Sequence, residues 1–343
     1  METKKILMVT SFYPPYHVGG ACTHVYNLAN ELAKRGHEIH IIFSKDAYYL
    51  KRKHEPIAND YKNHENIHLH DVKTPFGKIS PLYSYTSGFL PFKREAMKVF
   101  CQKYDLIHYH NVSLLGPKVF DYGNSQKIYT AHDHWLVCPL NDFFRDGKVC
   151  DKSISPMTCS MCLLQNKRPI QLWRHSNMLR KCMGNIKLII SPSNYLKNFL
   201  IQNGIANPIA VLPNFVSHPP KYIEKVDGLE QDNYFFYAGM LEEIKGIRNL
   251  LRAFEDCEDK KLVIAGRGSL EKYVKLVISR NGFKNIKYAG WLDSARIYAY
   301  YKNALAFILP SICPENHPLT ILEALSVGTP SIGSNICGIP EII

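Results

Sequence analysis

No apolar run in this chain approaches the roughly 20 residues that a bilayer-spanning helix needs, and the 343 residues hold neither an internal repeat nor a low-complexity segment. Membrane-spanning, solenoid and disordered classes are set aside on that basis. The opening Met1-Glu2-Thr3-Lys4-Lys5 runs straight into an apolar stretch and lacks the shape of a signal peptide. A cytoplasmic location is therefore expected. Asp-x-Asp is absent, so nothing in the sequence speaks for a metal-bridged diphosphate. Gly-x-Gly-x-x-Gly is absent too, and with it the dinucleotide fingerprint. Negative charge is the scarcer sign: 30 Asp and Glu stand against 42 Lys and Arg, a formal net charge of +12. That balance favours an anionic partner, and no nucleic-acid motif accompanies it.

The positive charge gathers at Lys51-Arg52-Lys53, at Lys93-Arg94 and between Lys167 and Lys187. Residues Gln171 to Lys181 read as a basic amphipathic helix with Trp173 at its edge, suited to an anionic membrane surface or to solvent. The chain is long for one core, so two domains are expected. Lys5–Thr10 reads as a buried strand, Val25, Leu28, Ala29 and Leu32 as a helix face, and Glu38–Phe43 as the next strand. This βαβ start belongs to a doubly wound sheet. Between them Gly19 and Gly20 allow close approach of backbone to a ligand, or form a plain tight turn. Residues 44–91 read as polar and irregular. Further strands are expected at Asp105–Asn111, Ile128–Trp135 and Lys187–Ser191. His108, His110, His132 and His134 fall at i, i+2 on two of them. After Pro213 a linker is expected over 214–232, and the βα alternation restarts at Tyr234. Lys245 stands just before a helix, placed to meet a diphosphate with a point charge.

Near the end of the chain, Ala306–Leu309 reads as a buried strand closed by Pro310, and Pro318 suits the first turn of a helix carrying Leu319, Leu322 and Leu325. Strand, polar loop and helix start together aim free N–H groups at the strand end. Glu315 precedes that helix start and Glu323 lies within the helix. A ligand with a diphosphate at its middle and hydroxyls at both ends fits such an arrangement, which describes a nucleotide sugar. Two solvated surface glutamates are the other reading.

The run Pro-Glu-Asn-His-Pro-Leu-Thr-Ile-Leu-Glu-Ala-Leu-Ser-Val-Gly-Thr-Pro-Ser-Ile-Gly from Pro314 resembles the donor motif of GT-B glycosyltransferases of family 4. The resemblance implies an α/β fold of GT-B architecture, two Rossmann-like doubly wound domains facing a cleft. They would comprise an acceptor-side domain at 1–213 and a nucleotide-sugar domain at 233–343. It implies retaining, metal-independent transfer of a sugar from a nucleotide-diphospho-sugar to a hydroxyl, saccharide or lipid-linked. Glu315 would meet the transferred sugar and Glu323 the ribose hydroxyls. Asn316, His317, Pro318, Leu319 and Thr320 would line the donor loop. Lys245, beside Gly239, would clamp the diphosphate, with Gly266 at the next strand end. His132 would lie beside the transferred sugar, and Gly19-Gly20 between acceptor and donor. Two positions depart from the pattern. Met240 stands where the clamp usually has arginine, and Cys337 where a second glycine is usual before Gly338. The family pattern also continues past Ile343 with another strand and helices, so a shortened form is expected. A nucleotide-sugar-binding protein with little turnover is the alternative.

Cys138, Cys150, Cys159 and Cys162 form a Cys-x11-Cys-x8-Cys-x2-Cys segment over 138–162, read as a loop. In a cytosolic setting a structural zinc clasp is expected there, with free thiols the alternative and no cofactor for the chemistry itself. The other six cysteines read as isolated and mostly buried.

Overall fold

The computed structural model describes residues 2–52, 54–56, 61–72, 74–152, 154–223, 226, 233–280 and 284–343. Lys53 and much of the expected linker, 224–225 and 227–232, lie outside the described residues. The chain divides into two units. One runs to Asp142 and resumes over Asp151–Pro213; the other joins Phe143–Cys150 to Asn214–Ile343.

Unit 1 contains β1 (Lys5–Val9), α1 (Gly20–Lys34), β2 (Glu38–Phe43), α2 (Lys45–Lys51), β3 (Ile67–Asp71), α3 (Ser80–Ser87), α4 (Arg94–Phe100), β4 (Leu106–Tyr109) and β5 (Gln126–Thr130). A short hairpin of β6 (Phe144–Arg145) and β7 (Lys148–Val149) follows and groups with unit 2. Unit 1 then continues through α5 (Pro156–Gln165), α6 (Met178–Met183), β8 (Leu188–Ser191), α7 (Asn194–Gln202) and β9 (Ile209–Val211). Its seven strands are parallel in the order β3-β2-β1-β4-β5-β8-β9. Strands covered on both faces need apolar residues throughout, which is why Ile6–Val9 is buried without alternation. Val25, Ala29 and Ala33 of α1 pack on Ile6, Met8, Ile39 and Ile41. Full burial of each such large side chain contributes about 1.5–3 kcal/mol.

Three local expectations change. Residues 44–91 hold α2, β3 and α3 rather than irregular chain; β3 is an edge strand whose His68 and Leu69 are exposed, so it carries no apolar run to betray it. The basic helix over 171–181 is instead a 3-10 turn, Leu172–His175, and α6, separated by Ser176 and Asn177. Trp173 is buried with its Nε1 donating to Tyr85 O at 3.0 Å, and Arg174 turns inward onto the Trp135 and Leu136 carbonyls. That segment therefore offers no tryptophan edge to a membrane. Finally, β5 stops at Thr130, so His132 and His134 lie beyond the strand and strand alternation does not govern them.

Unit 2 contains β10 (Tyr234–Ala238), α8 (Ile247–Glu255), β11 (Lys261–Ala265), α9 (Glu271–Arg280), β12 (Ile286–Gly290), α10 (Ser294–Asn303), β13 (Ala306–Leu309), α11 (Leu319–Ser326) and β14 (Ser331–Gly333). Its parallel order is β12-β11-β10-β13-β14. Period-two alternation splits β10 between two cores. Tyr234 and Phe236 pack with Tyr301, Phe307, Ile321 and Ala324 on one face. Tyr237 packs with Ile247, Leu250, Phe254 and Val274 on the other. In each sheet the order reverses beside its first strand, at β1/β4 and at β10/β13. In such sheets the crevice at the strand carboxyl ends opens at that reversal. Among the described residues, no helix is long and apolar enough to cross a membrane.

Candidate active site

In unit 2 the loops after β10 and β13 straddle the reversal and touch through backbone. Gly246 adopts φ 72°, and a Cβ there would fall 1.9 Å from Pro310 O. Ile312 N donates to Ile244 O at 3.0 Å. This contact delivers Lys245 to Glu315: Nζ lies 2.5 Å from Oε1, and Ser311 Oγ donates to the same oxygen at 2.8 Å. Both side chains are largely enclosed, 17% and 15% exposed. Removing two charges from water is offset only by close pairing and added hydrogen bonds, which Ser311 supplies. The third loop joins in the same way. Gly266, at φ 136°, could not carry a Cβ, because Gly239 O would lie 1.8 Å away.

The segment 314–318 is clamped from behind. Gly338 N donates to Glu315 O at 2.8 Å, and a Cβ on Gly338 would meet Asn316 O at 1.8 Å. Asn214 Nδ2 donates to His317 O at 2.9 Å. Asn316 is buried and His317 half-buried; burial lowers the His317 imidazole. Pro318 occupies the N-cap position, one residue earlier than the first-turn place read from sequence. No side chain caps α11 and its first turn holds no acid. The amides at Leu319 and Thr320 therefore stand in the turn where N–H groups have no intrahelical acceptor. Cys337 adopts φ 55°, the left-handed region, which explains why glycine suits that position.

Glu323, on α11, accepts from Tyr301 Oη at 3.0 Å, and burial pushes its carboxyl from the ordinary 4.5 up to about 7. Between those values the fold keeps a proton that the unfolded chain has lost. Stability therefore falls as pH rises through that window and levels off above it. The full effect is about 3 kcal/mol. Glu323→Gln still offers Tyr301 an acceptor, so denaturant unfolding of this variant should lose most of that decline. A wild-type slope retained in the variant would place the proton elsewhere.

Met240 is exposed and brings no charge, but the adjoining loop does. Leu241 N donates to Arg267 O at 2.9 Å, and the Arg267 guanidinium lies 5.8 Å from the Trp291 ring centre.

In unit 1 the reversal gathers histidines. Gly19, at φ 79°, precedes α1, and Gly20 is the first helical residue. One turn on, the His24 ring lies 5.2 Å from that of His132. His132 Nε2 and His110 Nδ1 are 3.1 Å apart, and the His108 ring lies 4.0 Å from that of His110. Burial holds the imidazoles of His110 and His132 well below their ordinary range and lowers His108 to about 3. They are neutral at physiological pH and can serve as hydrogen-bond donors and acceptors. His134 departs from this group: its Nε2 pairs with Tyr195 Oη at 3.1 Å. Sequence periodicity had no means to find His24, which approaches from a helix.

The four-cysteine segment is more ordered than a loop. Cys159 and Cys162 lie on α5, which Pro156 begins and Ser155 caps by accepting from Thr158 N. Cys162 is buried, and Cys138, Cys150 and Cys159 are half-buried. Of the other six, Cys22, Cys182 and Cys313 are buried and Cys337 half-buried, whereas Cys101 and Cys257 are exposed.

Comparison with known proteins bears on both units. Residues 18–218 match the model of Glycosyltransferase Family 4, and residues 220–343 match that of Glycosyl transferases group 1. An uncharacterized glycosyltransferase of Methanocaldococcus jannaschii is 26% identical over 352 residues, 99% of this chain and 82% of its own. The O-antigen chain mannosyltransferase B of Escherichia coli is 26% identical over 183 residues, 48% of each chain. Among solved structures, Anabaena HepE in complex with UDP-glucose aligns at a TM-score of 0.64 and 17% identity, covering 99% of this chain and 83% of that one. The two Rossmann-like units, the clamped donor-type motif and these matches agree on the GT-B fold, and the chain belongs to glycosyltransferase family 4.

Proposed function

We propose that the protein transfers a sugar, with retained anomeric configuration, from a nucleotide-diphospho-sugar to a hydroxyl of a saccharide or lipid-linked acceptor, in surface polysaccharide or glycolipid synthesis. The observation that carries this reading is the Lys245–Glu315 pair beside the uncapped start of α11. The diphosphate lies over the first-turn amides of Leu319 and Thr320, and Lys245 turns from Glu315 towards it. Glu315 is then released to accept hydroxyls of the sugar, and Glu323 accepts those of the ribose. The acceptor oxygen bonds to the anomeric carbon as its bond to the diphosphate oxygen breaks. The acceptor's proton leaves on that diphosphate oxygen, so no covalent enzyme intermediate and no metal are required. Preorganised charge around the leaving group supplies the main stabilisation. His132, held neutral beside His110, bonds a sugar hydroxyl. UDP-glucose bound to a protein of this fold and the O-antigen role of a relative favour the donor and product classes.

Transfer assays against uridine-, guanosine- and adenosine-diphospho-sugars, with saccharide and lipid-linked acceptors, test the proposal. One donor should be turned over. Met240 favours a second reading, a nucleotide-sugar-binding protein with little turnover, which predicts donor binding without transfer or hydrolysis. We propose separately a zinc clasp built from Cys138, Cys150, Cys159 and Cys162; thiolate-to-metal charge transfer on cobalt(II) titration of the full chain would support it, and its absence would oppose it.

A further inference from the structure

At the outer edge of the unit 1 sheet, β2 and β3 carry a cluster outside the β1/β4 reversal, one that the proposed transfer does not use. Glu38 and His40 alternate on β2, as His68 and His70 do on β3, and the parallel register sets His40 beside His68. Residues two apart share a strand face, so all four project from one side of the sheet at its edge. His40 Nε2 donates to Glu38 Oε1 at 2.8 Å, and His40 Nδ1 lies 2.9 Å from His70 Nε2. One ligand atom each from Glu38, His40 and His68 lies within 4.8 Å of the others.

We propose that Glu38, His40 and His68 bind a divalent transition-metal ion of the zinc class, with His70 orienting His40. Two imidazoles and a carboxylate suit that class and leave a fourth position for water. A tetrahedral ion with ligands near 2.0–2.1 Å needs them about 3.4 Å apart. Glu38 Oε1 and His40 Nε2, 2.8 Å apart as a hydrogen-bonded pair, open by about 0.6 Å to admit the ion, and His68, being exposed, is free to close the remainder. His40 then binds through Nε2 while its Nδ1–H donates to His70; both rings change tautomer and no net proton is lost. A ligating histidine characteristically has its second nitrogen held in this way. Lys5 Nζ competes for Glu38 at 3.1 Å, but that pair is solvent-exposed and contributes little. The bound ion would staple the edge strand β3 to β2 and oppose its fraying.

Cobalt(II) added to the full chain gives the test, with zinc(II) as competitor. This site should yield ligand-field bands without thiolate charge transfer, which separates it from the cysteine segment. His68→Gln and Glu38→Gln should each weaken that binding at least tenfold, and His70→Phe about 10–100-fold. Lys5→Met should tighten it. His68 and Glu38 lie at the surface, and unchanged circular dichroism would show that these variants fold. Absence of a nitrogen–oxygen cobalt spectrum, or the same affinity in His68→Gln, would overturn the proposal.

Discussion

Glu315→Ala should reduce kcat about 10²–10³-fold while donor binding is kept. The carboxylate is held by Lys245 and Ser311, and in the proposed reaction it faces the sugar only when the ammonium moves to the diphosphate. Its contribution is therefore greatest where the sugar develops positive charge, and small in ground-state binding. In the free protein the truncation strands an enclosed ammonium, which costs about 3–5 kcal/mol when a buried pair is broken from one side. Bound donor supplies the missing counter-charge, so donor should stabilise the variant more than the wild type. Glu315→Gln keeps the shape and the Ser311 hydrogen bond, and it should show the catalytic loss with a smaller loss of stability. Single-turnover transfer kinetics alongside thermal unfolding would separate the two effects. Wild-type transfer by either variant contradicts the role given to Glu315.

Gly338→Ala should lower kcat about 100-fold without altering any group that meets substrate. Gly338 lies at φ −87°, which alanine adopts freely, so strain of its own backbone is not the cause. The added Cβ would instead fall 1.8 Å from Asn316 O, 2.6 Å from Asn316 C and 3.0 Å from Glu315 O. The 315–316 backbone must shift, and a displacement of about 1 Å at a reacting group is enough for a loss of that size. Overpacking adds roughly 1–3 kcal/mol of destabilisation. Cys337→Gly is the control next door: it relieves a left-handed φ of 55° and should leave kcat unchanged with equal or higher stability. If Gly338→Ala turns over normally, the donor loop is not held by this contact.

The sequence made some of this architecture plain and hid the rest, for physical reasons. Ala306–Leu309 is legible in the sequence with its observed bounds, because a strand covered on both faces must be apolar along most of its length. Lys245 and Glu315 were recognised by motif, yet nothing in the sequence showed that they pair. That contact follows from Gly246 packing on Pro310, an encounter between loops more than sixty residues apart. Tyr301 reaches Glu323 through tertiary packing, whereas Ser311 reaches Glu315 within one loop whose conformation no periodicity reveals. The edge strand β3 stayed hidden because one exposed face removes the apolar run. The supposed helix at 171–181 misled because its tryptophan and one arginine serve the interior.

The proposed reaction depends on Lys245, Glu315 and the start of α11 together holding a nucleotide-diphospho-sugar. Isothermal titration of the intact chain with uridine-, guanosine- and adenosine-diphospho-sugars, repeated on Lys245→Ala, addresses it directly. Saturable binding of at least one of these sugars is expected, weakened about 10-fold or more in the variant, as loss of a charged hydrogen bond of roughly 1.5–3 kcal/mol requires. Heat-silent titrations with every donor, or equal affinity in Lys245→Ala, would contradict it.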